Sequence, residues 1–440
     1  MLHDFAAFNA IFRTIKQMDN NDFHSRPAVL CFIQIYKKRA MKKSDFSKTE
    51  ELLQRGVVEI NVREHLEERI KKGEKLRIKF GIDPTGPDIH LGNAIPIRKL
   101  RQFQELGHQI VFLIGDFTAR IGDTSDKTAI RQPMSEEEIA ENMKTYKKQL
   151  AKILDLDKTE FVYNSEWLDK LTHKEILKLQ SLFTVAQMVE RENFQGRFKE
   201  KKPIGLQEFS YPLMQGYDSV AIKADVEIGG TDQTFNMMAG RDIQRAFGQE
   251  PQDVMTLRLL EGTDGRKMSK SYGNIIKIMD EPNDMYGKIM SMKDELMIDY
   301  FVLCTDISME EIKEIEKELK EKRVNPRDIK ARLAKEIVKI YHGEKFSQDA
   351  EKEFDRIFRD RELPAEMPKI KLEAGQYDIL DLLVKVKMSP SKAEAKRLIL
   401  QGGIKIEGKE EKDWHKKIKI GKGEEINIKA GKRKFVRISA

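Results

Sequence analysis

Two short stretches of this 440-residue chain carry residue types suited to handling a phosphate. The first, residues 76–93, runs from an apolar alternating segment through Asp83-Pro84-Thr85-Gly86-Pro87 into a helical pattern. The first turn of that pattern holds His90, Gly92 and Asn93. A strand–turn–helix edge gathers unpaired backbone N–H groups and the positive end of a helix dipole, which suits an anion. The second stretch is a glycine-bracketed basic loop, residues 262–273, with Lys267-Met268-Ser269-Lys270-Ser271 at its centre. Neither contains GxxxxGK[ST] or GxGxxG, so neither common nucleotide fingerprint applies.

Each piece has an ordinary alternative. A lone histidine is more often structural than catalytic, Gly92 could simply permit close packing, and loop lysines are usually solvated. Their joint occurrence after strands of one sheet changes the odds. Adenylation by ATP asks for charge stabilisation on the β- and γ-phosphates while a carboxylate attacks the α-phosphorus. Positioning and electrostatics do most of that work. His90 at a helix start, two mobile lysines and a glycine that leaves room for a purine would make such a cradle.

A third set lies on a predicted helix over 208–219, where Tyr211, Gln215 and Asp218 recur at i, i+4, i+7. A solvated face would look the same. The flanking Leu213, Met214 and Tyr217, however, leave little of this helix to expose.

The elements that must position these residues alternate between strand and helix. Residues 46–73 read as helical from Leu52, Leu53, Val57, Val62, Leu66 and Ile70. Strands are predicted near 76–82, 108–114, 160–163, 224–228 and 254–260, and helices over about 90–106, 135–154 and 173–192. Two strands joined by a helix form a right-handed βαβ unit, and in an open α/β sheet ligands bind at the carboxyl ends of strands. From Pro282 to Phe358 the pattern is helical, with boundaries near Ser308, Asn325 and Gly343. Residues 363–375 read as a linker. The tail reads as helices over 378–386 and 391–401 followed by short strands.

Composition narrows the class. Hydrophobic residues are 40% and charged residues 35%, a globular balance for two to four domains. No apolar run approaches the ~20 residues a membrane helix needs. Two cysteines, Cys31 and Cys304, cannot make a disulfide framework, which points to the reducing cytoplasm. From Gln376 to Ala440 there are 17 Lys+Arg against 9 Asp+Glu, a surplus of 8 within the chain's +7, which leaves 1–375 at −1. A polyanion is therefore expected on the tail. Residues 1–40 lack a signal design and read as a dispensable extension or as upstream sequence before a true start at Met41, with a transit peptide the weaker alternative.

His90-Leu91-Gly92-Asn93 and Lys267-Met268-Ser269-Lys270-Ser271 resemble the two signatures of class I aminoacyl-tRNA synthetases. Phe80-Gly81-Ile82-Asp83-Pro84-Thr85, Tyr211 to Asp218 and Gly229-Gly230-Thr231-Asp232-Gln233 are similar to the tyrosyl branch in particular. The tail, with Pro390 to Ile399 and Gly431 to Val436, resembles an S4-type RNA-binding module. The likeness runs from Met41 to Ala440.

The resemblance implies a Rossmann-like doubly wound parallel sheet (41–280, with a helical dimer-forming insertion at about 135–215), an all-α anticodon-binding domain (281–362) and a small α+β S4-like domain (376–440). It implies catalytic roles for Thr85, His90, Lys127, Arg131, Lys267 and Lys270. It implies ATP contacts at Asp83, His90, Gly92, Asn93, Gly230, Asp232 and Lys267 through Ser271, including Met268 and Ser269. Tyrosine contacts are implied at Thr118, Asp123, Tyr211, Gln215, Asp218 and Gln233, and RNA contacts at Lys392, Lys396, Arg397, Lys432, Arg433 and Lys434. It also implies ATP as a substrate with Mg²⁺, no protein metal site and no tightly bound cofactor, tRNA(Tyr) as partner, a homodimer, and neither membrane nor DNA binding.

Two departures stand out: Asn93 stands where many members of the resembled family carry a second histidine, and Lys79 where some members place a tyrosine that also binds the phenol. A tryptophanyl-type enzyme and a catalytically lapsed RNA-binding relative are the alternatives.

Overall fold

The computed structural model describes residues 48–123, 134–190, 192–269, 272–359, 367–431 and 434–440. Residues 1–40, read as an extension, lie outside them. The chain divides into two compact units, one of 1–87 with 95–259 and one of 88–94 with 260–440.

The first unit is built on a six-stranded sheet in the order β1-β6-β5-β2-β3-β4. Its strands are β1 (Val57–Asn61), β2 (Arg77–Ile82), β3 (Gln109–Ile114), β4 (Thr159–Tyr163), β5 (Val226–Gly230) and β6 (Asp253–Leu257). The five strands after β1 are parallel. Helix α1 (Leu91–Glu105) joins β2 to β3, α2 (Ser210–Ile222) precedes β5, and α3 (Thr234–Ala246) joins β5 to β6. From β2 the sheet grows through β3 and β4; from β5 it grows the other way through β6. The order therefore reverses between β2 and β5, and right-handed crossovers send the connecting helices of the two halves to opposite faces.

Parallel strands covered on both faces should be nearly all apolar. Ile78, Phe80, Ile110, Val111, Phe112, Leu113, Val226, Ile228, Val254, Met255 and Leu257 are indeed buried. Phe112 sits between Phe80 and Phe161 at centroid distances of 5.7 and 5.8 Å. Lys79 in the same run is the exception: it is a lysine, yet only 1% exposed.

The expectation of a helical 46–73 is corrected. A helix ends by residue 54, β1 pairs antiparallel with β6, and a second helix covers Arg63–Lys71. Gly56, at φ +67°, stops the first helix in a left-handed conformation that only glycine adopts cheaply. The β-branched Val57, Val58 and Ile60 then favour a strand, and the three-to-four spacing through Val57 and Val62 was coincidental. The helices expected over 135–154 and 173–192 are broken into shorter ones, Glu136–Met143 with Tyr146–Leu150 and His173–Gln180 with Val185–Val189.

In the second unit, five helices occupy 282–358. Three of their boundaries are capped where the sequence placed them. Ser308 accepts from the Glu311 N–H at 3.2 Å, Asn325 from the Arg327 N–H at 3.0 Å, and Gly343 turns at φ +91°. The tail forms its own core around Leu382, Leu383, Ile399, Ile404, Val436 and Ile438. Its helices are α4 (Ile379–Lys385) and α5 (Lys392–Leu400). The linker reading of 363–375 is also corrected. Lys369–Lys371 is a strand that pairs in parallel with Lys434–Ser439, and Ile370 and Leu372 pack on the tail core. Alternation of lysine with Ile370 and Leu372 is a one-sided strand pattern that nearby prolines disguised.

Helices α2 and α3 cross at Gly216 and Gly240. A Cβ on Gly216 would lie 2.7 Å from Ile243 Cδ1 and 3.1 Å from the Gly240 nitrogen. Gly216→Ala should therefore cost about 1–3 kcal/mol by overpacking this crossing. A denaturant midpoint equal to that of the unaltered protein would refute the close approach.

Candidate active site

In the first unit the side chains singled out from sequence gather at the carboxyl edge of the sheet. Asp83 follows β2 directly, Gly115 follows β3, Asn164 follows β4, and Thr231-Asp232-Gln233 follows β5. Strand ends at a reversal of strand order leave a crevice that ligands use.

A continuous hydrogen-bond chain runs along this edge. Tyr211 Oη donates to Asp83 Oδ2 at 2.9 Å, and Thr118 Oγ1 donates to Asp83 Oδ1 at 2.7 Å. Asn164 Nδ2 donates to Thr118 Oγ1 at 3.0 Å and to Asp218 Oδ2 at 3.2 Å, while Trp167 Nε1 donates to Asp218 Oδ1 at 2.8 Å. Asn164 Oδ1 in turn accepts the Phe117 N–H at 2.9 Å. Buried polar atoms need such partners because an unmet one costs roughly 1–3 kcal/mol. Gly115 makes room for the chain, since a Cβ there would fall 2.1 Å from Asp83 Oδ1.

The stripe on α2 is thus not a solvated face. Tyr211 and Asp218 are buried, and Gln215 Nε2 reaches Glu227 Oε1 at 3.2 Å. Burial pushes the Asp218 carboxyl up to about 7, against the pull of Lys79 and the Trp167 and Asn164 donors. The Tyr211 phenol is pushed well above its ordinary value, first by burial and then by the Asp83 charge, so it stays a donor. Beside them, Gln233 Nε2 donates to Asp123 Oδ2 at 2.7 Å, and Asn236 Nδ2 donates to Gln233 Oε1 at 2.9 Å. Asp232 curls close to Gly230, where a Cβ would meet Asp232 Oδ1 at 2.5 Å. Thr85 is exposed and its N–H bonds back to the Asp83 carbonyl at 2.7 Å.

The second unit holds the two phosphate-type signatures together. Residues 89–91 pair with 276–278: the Leu91 N–H donates to the Ile276 carbonyl at 2.9 Å and the Ile278 N–H to the Ile89 carbonyl at 3.0 Å. Lys277 Nζ closes the staple on Asp88 Oδ2 at 2.7 Å. The Asn93 N–H donates to His90 Nδ1 at 3.3 Å, so the neutral ring carries its proton on Nε2 as a donor. Asn93 Oδ1 accepts the His90 N–H at 3.5 Å, which leaves the amide nitrogen of Asn93 for outward donation. Gly92 is tighter than a purine shelf requires, because a Cβ there would lie 3.1 Å from both the His90 ring and Met268 Sδ.

The lysine loop is organised by Asn274, which sequence reasoning missed. It is buried and donates to Asp264 Oδ1 at 2.8 Å and to the Lys267 carbonyl at 3.0 Å, while its Oδ1 accepts the Ser269 N–H at 2.9 Å. Gly262 allows this, since a Cβ there would overlap the Asn274 amide at 2.3 Å. Lys267 is exposed. Lys127, Arg131, Lys270, Ser271, Lys432 and Arg433 lie outside the described residues. Among the described residues, no group of three or more His, Cys, Asp or Glu side chains is arranged to hold a metal.

The sequence matches the family described as class I tRNA synthetases (W and Y) over residues 71–359. It also matches the SYY-like C-terminal domain of tyrosine–tRNA ligase over 361–438. It is 51% identical over 389 residues to the tyrosine–tRNA ligase of Thermotoga maritima, covering 88% of this chain and 96% of that one. With the tyrosine–tRNA ligase of Carboxydothermus hydrogenoformans it shares 50% identity over 398 residues, covering 88% and 97%. The chain belongs to the tyrosine–tRNA ligase family.

The fold agrees. A tyrosyl-tRNA synthetase from Archaeoglobus fulgidus, solved with L-tyrosine, superposes with a TM-score of 0.56 at 25% identity, covering 69% of this chain and 99% of that one. A truncated mitochondrial tyrosyl-tRNA synthetase from Aspergillus nidulans does so at 0.59 and 22% identity, covering 71% and 94%. Within this family member, Asn164 and Trp167 are the other residues sequence reading missed. Their position just past a strand end was the available signal.

Asn274→Ala removes three hydrogen bonds from the lysine loop, at about 1 kcal/mol each. It should raise tryptic cleavage after Arg266 or Lys267 by about tenfold or more. An unchanged digestion rate would show that the loop does not depend on Asn274.

Proposed function

We propose that the chain is a tyrosine–tRNA ligase: it activates L-tyrosine with ATP to tyrosyl-adenylate and pyrophosphate, then passes the tyrosyl group to the 3′-terminal adenosine of tRNA(Tyr). The observation that carries the substrate choice is Asp218, a buried carboxylate held by Trp167 and Asn164 with lone pairs left to accept from a phenol. Phenylalanine in the same place would strand that acceptor. Tyr211, Gln215, Asp123, Thr118 and Gln233 serve the α-amino and carboxylate ends of the amino acid. An ammonium there needs the acidic and carbonyl partners these residues offer.

His90 Nε2–H, Thr85, Lys267 and Lys270, with Lys127 and Arg131, serve the triphosphate and strengthen their hold as pyrophosphate leaves. Asp83, Gly230, Asp232, Gly92, Asn93, Met268, Ser269 and Ser271 serve the rest of the nucleotide. Mg²⁺ arrives with ATP as part of the substrate. Because adenylation is mainly positioning and electrostatics, the rigid staple between residues 88–91 and 276–278 is itself functional: it keeps the histidine signature and the segment after the lysine loop in one body.

The domain scheme we favour is catalytic over 41–280, anticodon-binding over 281–362 and S4-like beyond, with the last beginning before the Lys369–Lys371 strand. In it Lys392, Lys396, Arg397, Lys432, Arg433 and Lys434 grip tRNA phosphates, a salt-sensitive contact. Homodimerisation through the helical insertion is supported by its exposed Leu177, Val185, Phe198 and Leu206. A cytoplasmic location fits the buried free thiol of Cys304; among the described residues no helix is long and apolar enough to cross a membrane.

ATP–pyrophosphate exchange should proceed with tyrosine. Exchange with tryptophan instead, or none at all, would overturn this reading. Asp218→Ala should cut the tyrosine-to-phenylalanine ratio of kcat/KM by about 10- to 100-fold, the worth of a hydrogen bond to a charged group, and leave KM for ATP nearly unchanged. Because burial raises the Asp218 carboxyl to about 7, lowering the pH through that value protonates it and weakens it as an acceptor. The ratio should therefore fall below pH 7 and level off above it. A ratio independent of pH would refute the role of the carboxylate. Removing residues 361–440 should spare exchange and impair tRNA charging.

A further inference from the structure

Lys79 sits mid-strand in β2, where its neighbours are apolar, and spends all three ammonium protons inside the protein. Its acceptors are the Gln215 carbonyl at 2.8 Å, Ser219 Oγ at 2.7 Å and Glu227 Oε1 at 2.9 Å. Glu227 stands directly across on β5, in register with Lys79 and only 2% exposed. The same carboxylate takes the Gln215 amide at 3.2 Å, the Ser219 hydroxyl at 3.3 Å and the Gln252 amide. Buried ion pairs add little net stability compared with an apolar pair of the same volume, so stability is a poor reason for this one. Its attachments suggest another. Gln215 and Ser219 lie on α2 and flank Asp218 in sequence.

We infer that Lys79 is a specificity-determining positioning residue: anchored by Glu227, it places a fixed positive charge beside Asp218, so that Asp218 meets the substrate phenol as a carboxylate and not as a neutral acid. The inference rests on the tyrosine reading above. With no proton to spare, Lys79 offers the phenol nothing directly and acts through Asp218.

The other groups around Asp218 agree in direction. Lys79 favours the ionised form more strongly than Glu227 opposes it; Trp167 and Asn164 are neutral donors that also favour it. Asp83 and Asp123 act, with Asp218, on the Tyr211 phenol.

The test is the double variant Lys79→Met/Glu227→Gln, which removes both charges without stranding either. It is compared with Ser219→Ala, which loosens the same bonds and leaves the charges in place. ATP–pyrophosphate exchange with tyrosine and with phenylalanine is followed between about pH 6 and 9. In the double variant the acid limb for tyrosine should move up by about one pH unit or more. The tyrosine-to-phenylalanine ratio near pH 7 should fall about fivefold, since the ionised fraction drops from about a half to about a tenth when the carboxyl moves one unit above its value of about 7. Phenylalanine kinetics and KM for ATP should change less than about twofold.

Ser219→Ala should leave the limb where it is. The inference is overturned if the folded double variant keeps its limb and ratio, or if Ser219→Ala shifts the limb upward. The second outcome decides the matter even where the double variant does not fold. Absence of tyrosine exchange in the unaltered protein would instead sink the functional reading itself.

Discussion

The reversal of strand order between β2 and β5 is the constraint on which the first unit depends. Right-handed crossovers carry the chain away from that seam in both directions, so the carboxyl ends of β2 and β5 lie side by side with no strand between them. Asp83 and the Gly230 turn are delivered there by topology alone. Lys79 and Glu227 face each other across the same seam, and their ion pair ties both strands to α2. Tyr211, Gln215 and Asp218 on α2 are therefore referenced to the sheet through buried polar groups and not through loops.

Polar groups in such a place are costly unless every proton and lone pair has a partner. Each side chain along the run from Tyr211 through Asp83, Thr118 and Asn164 to Asp218 finds a hydrogen-bond partner within the protein, and Asp218 keeps further lone pairs. Such internal bonds hold side chains in one arrangement, which is what positioning requires. The second unit follows the same logic with backbone. Strand-like pairing of 89–91 with 276–278 fixes the histidine turn, and Asn274 gathers the loop that begins at Gly262. Lys267 is exposed on that ordered loop.

Much of the fold was legible because local signals agreed with global ones. The uninterrupted apolar runs of β2 and β3, the Gly107 stop and the caps at Ser308, Asn325 and Gly343 each announce their element. β1 was not legible because Val57 and Val62 also satisfy a helical period, and its strand state as the sheet's edge depends on pairing with β6, about 200 residues away. Lys369–Lys371 was hidden for a like reason, since its partner is the final strand. On α2, Tyr211, Gln215 and Asp218 were readable as a buried stripe from their apolar flanks, since their spacing alone fits a solvated face as well. Asn164, Trp167 and Asn274 were not, because they bear no motif and matter only through what they touch.

The sequence alone determined which residue types are available and their order: the histidine and lysine signatures, the alternating strands and helices, the basic tail, and membership of a family whose relatives share about half of its residues. These are local or compositional properties, set by side-chain chemistry and short-range spacing. Tertiary structure alone decided the roles of the charges. Lys79 reads in sequence as a polar residue in an apolar strand, and only its register opposite Glu227 and its reach to α2 turn it into a buried counter-charge near Asp218. Burial and the distance between ionic groups fix the energy of a charge, and neither exists until strands far apart in sequence lie side by side.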